Sequence, residues 1–139
     1  MNTVMAWGGN KKRRELAEDV VNFCIKELMP RMKTLDICIE IDKTTDVCGY
    51  CLAVDNREFV LEIKDVENDL EFVETICHEM VHVKQHARGE LKDINLTQKL
   101  WKGDEYIAMY STHDEYMALP WEAEAYNLEA KLLTKYFEL

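Results

Sequence analysis

The chain has 139 residues, enough for one ordinary domain with a single core and too few for two. Hydrophobic residues make up 47% and charged residues 32%, with five Gly and two Pro, a mixture that excludes a disordered or collagen-like chain. Seventeen basic against twenty-seven acidic residues leave a net charge of −10, a field that repels phosphate and argues against a nucleic-acid binder.

Residues 1–9 contain no apolar run of signal-peptide length, and nowhere does the chain hold the roughly 18 consecutive apolar residues of a membrane span. A soluble, cytoplasmic protein with no membrane partner is therefore expected, and its five cysteines are expected to be reduced. The basic run 11–14 reads as the solvated opening of a helix. From 14 to 28, Leu16, Val20, Phe23, Cys24 and Leu28 recur at three- and four-residue steps until Pro30 stops the pattern, which predicts a first helix. Residues 35–41 alternate, with Ile37, Ile39 and Ile41 on one face, and β-rich runs at 50–54 and 59–63 flank the turn signal Asp55-Asn56. A strand and a hairpin follow.

Asn68 is a good N-cap with Glu71 three residues on, and Gly89 is placed to end a second helix over about 69–88. Periodicity weakens over 90–119, where Leu96, Leu100 and Trp101 suggest one short turn of helix inside a long aromatic loop, the kind of segment that binds or covers a ligand. Pro120 pre-sets the start of a third long helix, 121–137, with an apolar stripe through Ala125, Leu128, Leu132 and Tyr136. The predicted order is α, β, β, β, α, loop, α. It implies one α+β domain over 1–139, with a small, mainly antiparallel sheet and the helices on one side of it.

The sharpest chemical signal is His78-Glu79-Met80-Val81-His82, because two histidines four apart on a helix project from one face and can share a metal. At about 100° per residue both histidines and Glu79 fall outside the apolar arc formed by Phe72, Val73, Ile76, Cys77, Met80 and Val81. Thr75, Ile76, Met80, Val81 and Val83 match the uncharged flanks of the extended zinc-protease pattern, whereas Lys84 departs from it.

A catalytic zinc usually takes three protein ligands and leaves one position open. His86 lies eight residues from His78, about 12 Å along the helix, too far to reach the same ion, and the position of a third histidine ten residues after the first is Arg88. Carboxylates remain. On the last helix Glu122 shares the side of Ala125, Leu128 and Leu132, while Glu124 falls with Lys131 and Lys135. A carboxylate on a buried face needs a partner that offsets its desolvation, which makes Glu122 the expected third ligand, with Glu124 looking toward solvent. Glu129, one heptad on, is too distant to ligate but can orient a ligand histidine, or else form a buried salt bridge.

His78-Glu79-x-x-His82 followed about forty residues later by Pro120-Trp121-Glu122-x-Glu124-Ala125 resembles the small gluzincin-type metallopeptidases of bacteria, archaea and phages. The resemblance covers about 59–130. It implies a zincin-like fold with a twisted sheet whose edge strand binds an extended peptide, an active-site helix carrying the first two ligands, and a second helix supplying the glutamate. The chain is also similar to the SprT-like zincins, which use a third histidine; His113 is the downstream candidate here.

The expected function is zinc-dependent peptide hydrolysis: Zn2+ held by His78, His82 and Glu122, Glu79 taking the proton of an activated water, and a peptide or protein as substrate. Tyr106, Tyr110, His113 and Tyr116 are the candidates for stabilising the oxyanion. Two alternatives stand beside it. One is a zinc-binding interaction domain without turnover. The other is a thiol-redox protein using Cys48-Gly49-Tyr50-Cys51, although that CxxC runs into a predicted strand where a redox pair normally opens a helix.

Overall fold

The computed structural model describes residues 1–138. In chain order the elements are β1 (Thr3–Gly8), α1 (Lys11–Leu28), β2 (Asp36–Asp42), β3 (Gly49–Ala53), β4 (Glu58–Lys64), α2 (Asp69–Ala87), β5 (Leu91–Asp93), β6 (Gln98–Trp101), β7 (Asp104–Ile107), α3 (His113–Ala118) and α4 (Pro120–Phe137). The class is α+β, with two sheets.

The larger sheet has the order β1-β2-β4-β3, in which β1 pairs parallel with β2, β2 pairs parallel with β4, and only β3 runs antiparallel to its neighbour. It is a mixed sheet, against the mainly antiparallel one expected from the sequence. The difference has a physical origin. The β3–β4 hairpin closes locally around Asp55, whose carboxylate accepts from the backbone N–H groups of Arg57 and Glu58, and that turn is visible in sequence. Parallel pairs are made by crossovers, which carry no local turn signal. β1 itself was not expected, because only Ala6 in it is buried and its alternation is faint.

The inner face of the sheet carries Ile37, Ile39 and Ile41 from β2 and Phe59, Leu61 and Ile63 from β4, as the period-2 pattern requires. α1 and α2 pack on that face, and α4 packs on α2 from the far side, so α2 is sandwiched between sheet and helix. This explains why its buried residues include every position from Ile76 to Val83. Burial of Phe72 in this layer is worth about 2–3 kcal/mol.

The helix ends follow the capping chemistry. The side chain of Asn68 accepts from the Glu71 N–H at 2.9 Å, and that of Asn10 accepts from the Arg13 N–H at 2.8 Å. The basic run at the start of α1 is not wholly solvated. Arg13 is buried, donates to Asp69 Oδ1 and to the Glu67 carbonyl at 2.6 Å each, and lies over the ring of Phe72, which ties α1 to the start of α2.

Residues 90–119 are also more ordered than the sequence suggested. β5, β6 and β7 form an antiparallel meander, and α3 follows it. Leu100 and Trp101 lie in β6 rather than in a turn of helix, and Leu96 is fully exposed at the β5–β6 turn. Leu91 and Trp101 pack with Trp121 in a small second core, which seats this sheet against the first turn of α4. Among the described residues, no helix is long and apolar enough to cross a membrane.

Candidate metal centre

Two helices meet at the site. α2 contributes His78, Glu79 and His82, and the first turn of α4 contributes Glu122, all four of them buried. The two imidazoles face the two oxygens of one carboxylate: His78 Nε2 lies 3.0 Å from Glu122 Oε1 and His82 Nε2 lies 3.2 Å from Glu122 Oε2. Donor atoms from the three residues all lie within 4.8 Å of one another.

The donor set suits a divalent metal of zinc's type, imidazole nitrogen plus carboxylate oxygen. Its spacing fits as well. One donor atom from each residue lies within 4.8 Å of the other two, close enough for the three to share a single ion. His78 Nδ1 donates to Glu129 Oε1 at 3.2 Å, and His82 Nδ1 donates to Gln85 Oε1 at 2.8 Å, so each imidazole is anchored through Nδ1 and presents Nε2 to the centre.

The charges at the site are strongly coupled. Burial works to lower the pKa of His78, but hydrogen bonds to Glu122 and Glu129 and the charge of Glu79 outweigh it and raise it to about 10. For His82 burial is likewise outweighed, by Glu122 and Glu79, and the pKa is raised. Burial works to raise Glu122, yet the two imidazoles win and hold it at about 2. In Glu79 burial is the largest influence and raises the carboxyl, only partly opposed by the two histidines and reinforced by Glu122 and Glu129.

Glu124 does not point freely to solvent as expected. Its Oε1 accepts from Lys84 Nζ at 2.8 Å and from Gln85 Nε2 at 3.1 Å, and Lys84 also pairs with Glu90 at 2.8 Å. This accounts for Lys84 at a position where the extended pattern prefers an apolar residue. The lysine is an intramolecular clamp between Glu124 and Glu90, two residues after His82.

The four oxyanion candidates are not equivalent. Tyr116, in α3, is near Glu122: burial first, then the charge of Glu122 and a hydrogen bond to it, push its phenol well above the ordinary value. Tyr110 and His113 are exposed and pack against Tyr116, with ring centroids 5.0 and 6.2 Å away. Tyr106 packs on Trp121 instead, 5.9 Å between centroids. His113 is outside the ligand group, and His86 packs toward Phe59.

Two residues of the site were not singled out from sequence. Tyr126 places its ring 4.6 Å from that of His78, and burial followed by Glu122, Glu129 and Glu79 raises its phenol. Its signal was present, since it lies four residues after Glu122 on the same face of the helix. Gln85 is fully buried and bonded to both helices of the site.

The strand β3 lies along the edge of the sheet next to α2. A Cβ built on Gly49 would come within 2.6 Å of Thr75 Cγ2 and 3.0 Å of Glu79 Oε2, so the absence of a side chain there lets the strand approach the glutamate closely. Cys48 and Cys51 flank this approach. Burial, followed by the charges of Glu79 and Asp93, pushes the Cys51 thiol well up, opposite to the depressed pKa of a redox thiol. No known protein family, curated protein or solved structure matches this chain.

Proposed function

We propose that the protein is a zinc-dependent peptidase with a zincin-like active site, in which His78, His82 and Glu122 hold the metal and Glu79 is the general base. The observation that carries this reading is the convergence of both Nε2 atoms on the two oxygens of Glu122, with Glu79 buried beside them. When bound, zinc supplies Lewis acidity, lowering the pKa of a water toward about 7 and polarising a carbonyl.

The chain's own residues do the rest. Glu79 accepts the proton of the attacking water and passes it to the departing amine, a task that burial favours by raising its proton affinity above that of an ordinary carboxylate. Tyr116 carries a protonated phenol beside Glu122, and it is the best placed of the four candidates to donate a hydrogen bond to the developing oxyanion. Tyr126 packs against His78 and shields that imidazole from water.

An extended substrate has a template in β3. Hydrogen bonds from Lys64 N–H to the Cys48 carbonyl and from Val54 N–H to the Glu58 carbonyl fix which groups face β4. By the antiparallel alternation, the backbone groups of Gly49, Cys51 and Ala53 face away from the sheet, free to pair with a peptide strand. Gly49 brings that edge against Glu79.

The test is a cleavage assay on a peptide library with zinc-loaded protein, repeated after chelation and with Glu79→Gln. Cleavage lost in both controls supports the reading. Absence of cleavage by a zinc-loaded wild type leaves the non-catalytic zinc-binding domain as the better account, and absence of zinc uptake removes both.

A further inference from the structure

We infer that Gln85 is a positioning residue for the metal centre, one side-chain amide that sets both His82 and the turn of α4 presenting Glu122. The inference rests on the metal reading above. Gln85 is fully buried in the last part of α2, and its three polar contacts are all inside the protein. Nε2 donates to the Trp121 carbonyl at 2.9 Å and to Glu124 Oε1 at 3.1 Å, while Oε1 lies 2.8 Å from His82 Nδ1.

The chemistry of the partners orients the amide. A backbone carbonyl and a carboxylate only accept, so the NH2 group must face them and the amide oxygen must face His82. An amide oxygen only accepts in turn, so His82 Nδ1 carries the hydrogen and Nε2 is the nitrogen directed at the centre. Trp121 immediately precedes Glu122, and α4 begins without a side-chain cap, since its N-cap position is Leu119. The bond from Gln85 to the Trp121 carbonyl, with the Lys84–Glu124 pair beside it, therefore fastens a helix start that has no side-chain cap of its own. Ligands from two helices are held in register by a residue that touches neither ion nor substrate.

Two substitutions separate the contacts. Gln85→Met keeps the volume and removes all three bonds. Gln85→Glu restores an acceptor for His82 Nδ1 but cannot donate to Trp121. The measurements are zinc affinity by competition with a chromophoric chelator and the His82 Nδ1–H signal in 15N-edited spectra of the zinc-loaded protein, with thermal melts of the zinc-free forms to establish that each variant is folded. Gln85→Met is expected to bind zinc about ten- to a hundredfold more weakly and to lose the protected Nδ1–H signal. Gln85→Glu is expected to recover that signal and part of the affinity. Unchanged affinity in Gln85→Met overturns the inference, as does an equal loss in the two variants, which would reduce Gln85 to packing between α2 and α4. A wild type that binds no zinc overturns the metal reading instead.

Discussion

The protonation of the buried cluster determines how it takes up a cation. With His78 raised to about 10, its imidazole holds an extra proton near neutrality in the metal-free protein, opposite a Glu122 held ionised at about 2, and His82, raised as well, favours its protonated form more than a free imidazole does. A metal requires the neutral imidazole, so binding must expel those protons. The sign is fixed: affinity tightens as pH rises toward the pKa of His78. Calorimetric titration at pH 7 in buffers of different ionisation enthalpy is expected to show release of about one proton per zinc from His78 with a further contribution from His82, and affinity is expected to rise at least about tenfold per pH unit between pH 6 and 8. Affinity independent of pH would contradict the arrangement of charges described here.

In the proposed mechanism turnover depends on Glu79. Substitution to Gln keeps the shape and the metal ligands and removes the proton acceptor, so zinc content and melting temperature should be retained while kcat falls by about two orders of magnitude or more. A variant with unchanged kcat would leave Glu79 without a catalytic role.

At the scale of elements, the close approach of β3 to α2 is the feature most exposed to a small change. Gly49→Ala would set a methyl against Thr75 Cγ2 and Glu79, and the β-branched Thr75 has little freedom to yield. The strand must back away, carrying the proposed peptide edge with it. The expected result is retained zinc with kcat/KM lower by about tenfold to a hundredfold, read from cleavage kinetics beside a metal assay. On the other side of the fold, Arg13→Ala removes the buried guanidinium that joins α1 to Asp69 and Glu67. It should destabilise the protein by about 2 kcal/mol in urea unfolding without altering zinc content. Cys48→Ser with Cys51→Ser should likewise leave zinc content intact, since neither thiol belongs to the ligand group.

For the whole molecule, what the sequence made legible was what is encoded locally. The bounds of α2 followed from Asn68 and Gly89, the start of α4 from Pro120, and the β3–β4 hairpin from Asp55-Asn56. The meeting of His78, His82 and Glu122 was approached through two helical wheels, and each wheel needed only its own helix. What was not legible depends on distant partners. β1 acquires its place by parallel pairing with β2, the meander of β5 to β7 by packing on Trp121, and Glu124 its ion pair from Lys84, forty residues earlier. Gln85 shows the limit most clearly, because a helix wheel gives it a direction but not the carbonyl and imidazole that meet it there.

The central claim is that one zinc is held by residues of α2 and α4, and metal content per chain tests it most directly. After zinc loading and dialysis, the wild type and Glu124→Ala should each carry about one zinc, and Glu122→Ala and His82→Ala should carry none, because two protein ligands make a poor zinc site. A wild type without zinc, or zinc retained in Glu122→Ala and lost in His113→Ala, would contradict the account.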